Sequence, residues 1–409
     1  MDREWREASD LRASLLSIGI VVVSAAVLRG WNVRQDPLSP AENDIVAAVV
    51  QLLHTGGYRP AALTAPTLPV YLHAAIAIVH FLWGATVGAW RTVADFGAEQ
   101  VLAWGRVASA ALGTAAVFLV YQIGMRWGAR HALLGAGLMA VTPVHVAASR
   151  EIGAGAPLAF FTALALLLSV KGCERPSRPG FAAAGVAAGL AAACHYAGAI
   201  VIVMPLVAAW MSYSDESSRV SRASLVLAAA IGAFVATVPL SVRDLPAFLN
   251  GFAIASAPPG ADAAGVENVD LVRIVLASMQ WPGAILAFAG MCLAVVRAVT
   301  GPAHTRWTVL AGFPLVYFTL VAWHGATSEA IALPLLPAVV LLAAIAVVSG
   351  VSQLRRFAIP RAARTALIAA LTVAALLPPA VFSIALIRQP NHDLRGPLPP
   401  IGPATSTNR

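Results

Sequence analysis

Of 409 residues, 59% are hydrophobic and only 11% charged, with a net charge of +8. Soluble domains carry roughly 25% charged residues, so the composition excludes a soluble globular protein and describes a polytopic membrane protein with basic turns. The charge forms no clustered patch interleaved with aromatics, so a nucleic-acid partner is excluded too.

Apolar windows of about 17–25 residues recur from end to end, each long enough to cross ~30 Å of hydrocarbon as a helix. A β-barrel would need short segments alternating in period two, which are absent. The chain has no repeat of fixed period and no stretch that reads as an independent soluble domain. Cys173, Cys194 and Cys292 are scattered without metal spacing and read as small apolar fillers.

The N-terminus, MDREWREASDLR, mixes both signs of charge and many apolar segments follow it, so Leu11–Leu28 reads as a retained first helix. Then comes SPAENDIVAAVVQLLHTGGYRP. Ser39 is placed to cap a helix, Pro40 to occupy its first turn, and Glu42 and Asp44 to face the positive end of the helix dipole. Gly56-Gly57 stops that helix. Two acidic residues in a first turn are ordinary helix-start chemistry. The alternative is that one carboxylate acts as a general base, and Glu42 is the first candidate, with Asp44 second. On a regular helix two residues apart means about 200° apart, so the two cannot face one site if both are helical.

Hydropathy marks twelve segments, of which Leu68–Trp90 is the one whose crossing decides the topology. If it does not cross, the densest basic turns all face one side. These carry Arg126 and Arg130; Lys171, Arg175 and Arg178; Arg219 and Arg222; Arg297 and Arg306; and Arg355, Arg356, Arg361 and Arg364. That is the positive-inside pattern, and a crossing at Leu68–Trp90 would break it five times. The expectation is therefore eleven spans, near 11–29, 103–123, 131–148, 157–170, 180–195, 197–211, 223–242, 271–296, 307–324, 332–350 and 366–387. Leu68–Trp90 becomes a helix in the outer interface with Trp83 and Trp90 among headgroups, inside one long extracytoplasmic loop, 30–102. The segment 243–270 is the second gap able to hold ordered non-membrane structure.

Arg106 begins the second span, and ionisable groups at such places are functional, paired, or reach the interface. Arg273 reads as the last of these. His145 is placed to hydrogen-bond inside the bundle. His54, His73 and His80 read as packing residues; His73 and His80 lack a third ligand, so no zinc site follows. Glu151 beside Arg150 reads either as a surface ion pair or as an alternative acidic partner at the site.

Several segments in order carry a resemblance: PAEND and QLLHTGGYRP after the first span, APTLPVYLHAAIAIVHFLWG, GRVASAALGTAAVFLVYQIGMRWG, LMAVTPVHVAASREIGAGAPLAFFTALALLLS, GLAAACHYAGAIVIVMPLVAA and ALPLLPAVVLLAA. Over about Leu11–Gly350 their order and spacing resemble the GT-C superfamily of membrane glycosyltransferases, of the protein O-mannosyltransferase and aminoarabinose transferase type. The resemblance implies an all-α polytopic fold with juxtamembrane helices in a long first outer loop. It also implies a sugar donor carried on polyprenyl phosphate. The family's Asp-Glu pair falls on Ala41 and Glu42, so the Glu is present and the Asp is not. A second-loop Asp is expected near Gly155, and an Arg-Tyr before LPLLP falls on Ala330 and Ile331. A Lys-Tyr that meets the lipid phosphate corresponds to His195-Tyr196, which serves if His195 is protonated. Arg150 is the other candidate phosphate contact.

The resulting division is a GT-C-like transmembrane domain over 1–350, a last cytoplasmic loop and final span over 351–388, and a Pro-rich disordered tail over 389–409. The expected activity is sugar transfer from polyprenyl phosphate to a glycan, lipid or protein acceptor, on the outer side of the cytoplasmic membrane. Membrane lipids and other membrane proteins are the expected partners. No Gly-rich phosphate loop is present, so no nucleotide is expected. No cofactor follows from the sequence with certainty, and a divalent cation between Glu42 and a lipid phosphate is left open. The depleted acidic positions set up the rival reading, a catalytically inactive subunit that assembles or supports a membrane complex.

Overall fold

The computed structural model describes residues 2–36, 38–58, 63–213, 215–256, 271–301, 304–324, 329–353 and 360–388. The tail over 389–409 lies outside the described residues. Among them the secondary structure is helical throughout: α1 (Asp2–Gly30), α2 (Pro40–Thr55), α3 (Leu68–Thr86), α4 (Ala98–Gly124), α5 (Ala129–Val141), α6 (Pro143–Ala148), α7 (Gly155–Glu174) and α8 (Arg178–Cys194). There follow α9 (Val203–Met211), α10 (Glu216–Thr237), α11 (Leu240–Arg243), α12 (Leu245–Ser256), α13 (Leu271–Thr300), α14 (His304–His324), α15 (Leu336–Gln353) and α16 (Arg361–Arg388). Short 3-10 turns precede α9 and α15.

Among the described residues seven stretches are long and apolar enough to cross a membrane by length and composition. The fold is that of a multi-pass membrane protein. Six of the expected spans fall on these stretches, the seventh stretch is Leu68–Thr86, and the other expected spans fall on shorter or less apolar helices. The span 131–148 is broken in two, because Pro143 has no N–H and its ring displaces the preceding turn. The carbonyls freed by that break are all taken up by side chains. Thr142 Oγ1 donates to Leu138 at 2.7 Å, Arg29 donates to Met139 and Ala140 at 3.2 and 3.1 Å, and Ser383 Oγ donates to Val141 at 2.8 Å. The segment 243–270 holds a helix, α12, that its hydropathy did not mark as a span.

The two ends of the bundle differ in chemistry. At one end Glu174 accepts from Arg126 at 2.8 Å and lies 3.6 Å from Arg306, and Arg306 also donates to the Arg126 carbonyl. Ser212 Oγ donates to the Gly172 carbonyl nearby. Four of the basic turns anticipated on one side therefore meet at one end. The opposite end gathers the first loop, the segment 149–154, His195-Tyr196 and the end of α10.

The helix α3 is itself one of the seven apolar stretches. It packs against α4: His73 lies on Gly105, and the His80 and Trp104 rings are tilted to each other with centroids 4.8 Å apart. Cysteines introduced at Gly57 and Ser217 test the topology: a membrane-impermeant thiol reagent should label them from opposite sides, Gly57 from outside. Labelling of both from one side would contradict the eleven-span arrangement.

The core is densest along α15 and the 3-10 turn before it, where Leu333–Val347 is almost wholly buried. The tightest helix pair is α8 with α10. Gly185 and Gly189, one turn apart, let the α10 backbone at Val226 and Ala230 come in close. The last helix, α16, packs on α13, α5 and α6.

Candidate functional site

Local sequence builds the first half of the site. Ser39 caps α2 by accepting from the Glu42 N–H at 3.2 Å, and the Glu42 carboxylate accepts the Ser39 N–H at 3.2 Å in return. Gly56, at φ 71°, ends the helix in the left-handed conformation. The expected helix start is thus present, but it does more than cap. Glu42 is completely buried. Its two oxygens receive the Arg106 guanidinium at 2.9 Å from Nε and 2.6 Å from Nη2, and Oε1 also accepts the Ile152 N–H at 2.9 Å. One carboxylate therefore joins the first loop, α4 and the second outer loop.

Arg106 is 1% exposed and so does not reach the interface as a free cation. Its Nη1 donates to the carbonyls of Val33 and Asp36 at 2.9 and 2.8 Å. The face of α4 that meets the second loop is made of small residues at a spacing of four: Gly105, Ser109 and Gly113. A Cβ at Gly105 would overlap Ile152, and one at Gly113 would overlap Ser149. This is how the loop approaches closely enough for the Ile152 N–H to reach Glu42.

A second clasp lies beside the first. Arg150 donates to Asp36 from Nε and Nη2, each at 2.9 Å, and its Nη1 reaches the carbonyls of Leu28 and Trp31 at 3.1 and 3.0 Å. Next to it Arg29, fully buried, places Nη2 2.6 Å from His145 Nδ1. His145 thus bonds inside the bundle, as its position suggested. Its Nδ1 is the acceptor, so the ring's proton sits on Nε2. Two carboxylates and two guanidiniums, Glu42 with Arg106 and Asp36 with Arg150, make the two clasps neutral as a pair.

Of the residues singled out from sequence, Glu42 and Arg150 enter this cluster and Asp44 does not: it is exposed on another side of α2, as its spacing required. Glu151 is exposed at the edge, beside Arg150. The fork of Arg150 is occupied by Asp36, so a phosphate would have to displace that carboxylate. Gly155 begins α7 against Ala148 and Leu333, with no room for a side chain, so an acidic residue does not fit there. His195 and Tyr196 lie elsewhere on the same end. His195 Nδ1 accepts the Ala197 N–H at 3.2 Å and caps the 3-10 turn. That bond needs an unprotonated Nδ1, so Nε2 is the atom left for a ligand. The Tyr196 hydroxyl donates to the Leu63 carbonyl at 2.7 Å, and its ring packs edge-on against Phe252 of α12 at 5.2 Å. Among the described residues no three His, Cys, Asp or Glu side chains gather as a metal site.

Asp36 and Arg29 were not anticipated. Arg29 had a signal, an ionisable residue closing an apolar span. Asp36 had none beyond its place before a proline.

A family profile described as dolichyl-phosphate-mannose-protein mannosyltransferase matches residues 96–242, a minority of the chain. No curated protein is matched in a sequence search. Among solved structures, ArnT from Cupriavidus metallidurans bound to undecaprenyl phosphate superposes with a TM-score of 0.58 at 17% identity, over 91% of this chain and 72% of that one. Its apo state gives 0.57 at 16% identity, over 93% and 73%. The Archaeoglobus fulgidus oligosaccharyltransferase, in complex with Zn and sulfate, gives 0.59 at 14% identity over 90% of this chain, which spans only 52% of that protein. Identities this low speak to architecture, and about nine-tenths of the chain follows it. The chain has the GT-C fold of membrane glycosyltransferases.

Proposed function

We propose that the protein is a membrane glycosyltransferase. It takes a sugar from a polyprenyl-phosphate donor and passes it to a glycan, lipid or protein acceptor on the extracytoplasmic face of the cytoplasmic membrane. The observation that carries this reading is the closure of the first and second outer loops around one buried charged cluster, on a GT-C scaffold. Preorganised charge at the mouth of a bundle is what a transfer reaction with an anionic leaving group needs. His195, through Nε2, and Tyr196 are the proposed contacts for the lipid phosphate, next to the first loop at Leu63. Arg150 joins them only if Asp36 releases it, and Glu151 lines the same edge. Glu42 orders the loops; its oxygens leave no site for a divalent cation.

A second reading has its own support. Ala41 carries no carboxylate, Gly155 has no room for one, and Glu42 is sealed. These features favour an inactive subunit that keeps the scaffold for assembly with other membrane proteins.

Titration of the purified protein in nanodiscs with undecaprenyl-phosphate mannose separates the two. Saturable binding with slow transfer or donor hydrolysis is expected. His195→Ala should weaken binding about tenfold, since one hydrogen bond contributes roughly 0.5–1.5 kcal/mol. Absence of both binding and turnover across a panel of polyprenyl-phosphate sugars would favour the inactive subunit.

A further inference from the structure

We propose that the slot between α3 and α4 binds one glycerophospholipid, with an acyl chain in the slot, an ester carbonyl at His80 and the phosphate at Arg34. The proposal does not depend on the transfer reaction.

The two walls follow from helical spacing. Ile76, Val79 and Trp83 recur at intervals of three and four on α3, and Trp104, Val107 and Ala111 do the same on α4, so each set forms one side of its helix. Together they line a cavity of about 580 Å³. Ligand-sized clefts hold roughly 300–1,000 Å³, mostly apolar with a few placed polar groups. The lining here is almost wholly carbon. A polar solute would lose its hydrogen bonds in it, and a hydrocarbon chain would not. The rim is open: Val79 and Trp83 are each 67% exposed. Both helices are apolar enough to lie in a membrane, so the bilayer is what meets this rim.

A chain that moves from bilayer to slot gains packing but no hydrophobic driving force, since lipid tails are as apolar as Leu. Selectivity must therefore come from the polar end. His80 lines the slot, and its Nδ1 is buried with no hydrogen-bond partner among the described residues. Trp90 and Phe96 hold the ring edge-on, with centroids 4.9 and 5.3 Å away. A buried nitrogen without a partner is costly, and as Nδ1–H it can donate to an ester carbonyl. Exposed Arg34 of the first loop lies within electrostatic reach of the same ring. A guanidinium suits a phosphate. Slot, imidazole and guanidinium thus match hydrocarbon, ester and phosphate in the order a glycerophospholipid presents them. A polyprenyl phosphate has no carbonyl to offer His80.

The site adjoins the charged cluster. Leu72 and Trp104 line the slot, and the next residue on each helix, His73 and Gly105, makes the contact between α3 and α4. Gly105 also packs on Ile152, whose N–H holds Glu42. A lipid in the slot would steady α3 on α4 and so support the closure of the two outer loops.

The test uses the full chain in nanodiscs of phosphatidylglycerol doped with phosphatidylglycerol that carries a diazirine on one acyl chain. Labelled peptides are mapped by mass spectrometry. Segments 76–83 and 104–111 should label in excess of the exposed face of α13 at Phe288 and Val299, and the excess should saturate as the probe fraction rises. Ala108→Phe puts a ring into the slot, so it should remove the excess and leave α13 labelling unchanged. If that variant does not fold, Ala111→Phe serves in its place. Arg34→Gln should lower the excess about two- to fivefold, as loss of an exposed ion pair does. Labelling no greater than on α13 would mean ordinary bilayer contact and overturn the proposal. An excess that survives in a folded slot-filling variant would overturn it as well. Displacement of the probe by added undecaprenyl phosphate, or an excess unchanged in Arg34→Gln, would overturn the assignment to a glycerophospholipid.

Discussion

Glu42→Gln is expected to destabilise the protein by about 3–5 kcal/mol, the usual cost of leaving a buried charge without its partner. The charge left behind is Arg106, 1% exposed and already committed to the carbonyls of Val33 and Asp36. Gln keeps the shape of Glu, but its amide cannot receive two guanidinium donors, the Ile152 N–H and the Ser39 N–H together. The first loop and the second loop should loosen at once, since both hang on this group. Removing both charges, as in Glu42→Gln with Arg106→Met, should recover part of the loss, because no buried charge is then left without its partner. Thermal unfolding in nanodiscs checks this. A single variant as stable as wild type, or a double variant worse than the single, would show that the pair does not hold the loops.

Gly189→Ala should be among the most damaging single-methyl changes in the bundle. The new Cβ would meet the Ala230 backbone carbonyl of α10, and a backbone yields only by moving a helix. Overpacking costs typically about 1–3 kcal/mol, and a clash with backbone belongs at or above the upper end. Gly232→Ala on α10 is the control: nothing lies within 4 Å of its Cβ position, so it should leave stability unchanged or slightly raised. Folded yield and unfolding temperature of the two variants, measured side by side, distinguish them. Equal behaviour would mean that α8 and α10 are not packed as closely as described.

Much of this architecture was legible from hydropathy and arginine alone. Long apolar stretches became α4, α7, α8, α10 and α13–α16, and Arg126, Glu174 and Arg306 from separate turns met at one end. The α2 boundaries followed from Ser39, Pro40 and Gly56, because capping is local chemistry. The site was only half legible. Glu42 stood out as an acidic residue, but its partner Arg106 lies 64 residues on and Ile152 offers only a backbone N–H. Asp36 and Arg150 are 114 residues apart, and neither side chain signals the other. The GVAAG spacing at Gly185 and Gly189 was there to read, but in an Ala-rich chain it does not stand out from its background. Gly155, expected to mark a missing acid, is instead a packing position against Ala148 and Leu333. A short side chain looks the same in sequence whether it marks lost chemistry or a tight contact.

The most direct test of the account is a structure of the full chain in nanodiscs with undecaprenyl-phosphate mannose bound. The phosphate is expected toward His195 Nε2 and Tyr196, with Glu42 still clasped by Arg106 and Ile152. Glu42 released from Arg106 and facing the sugar, with the phosphate remote from His195, would contradict it.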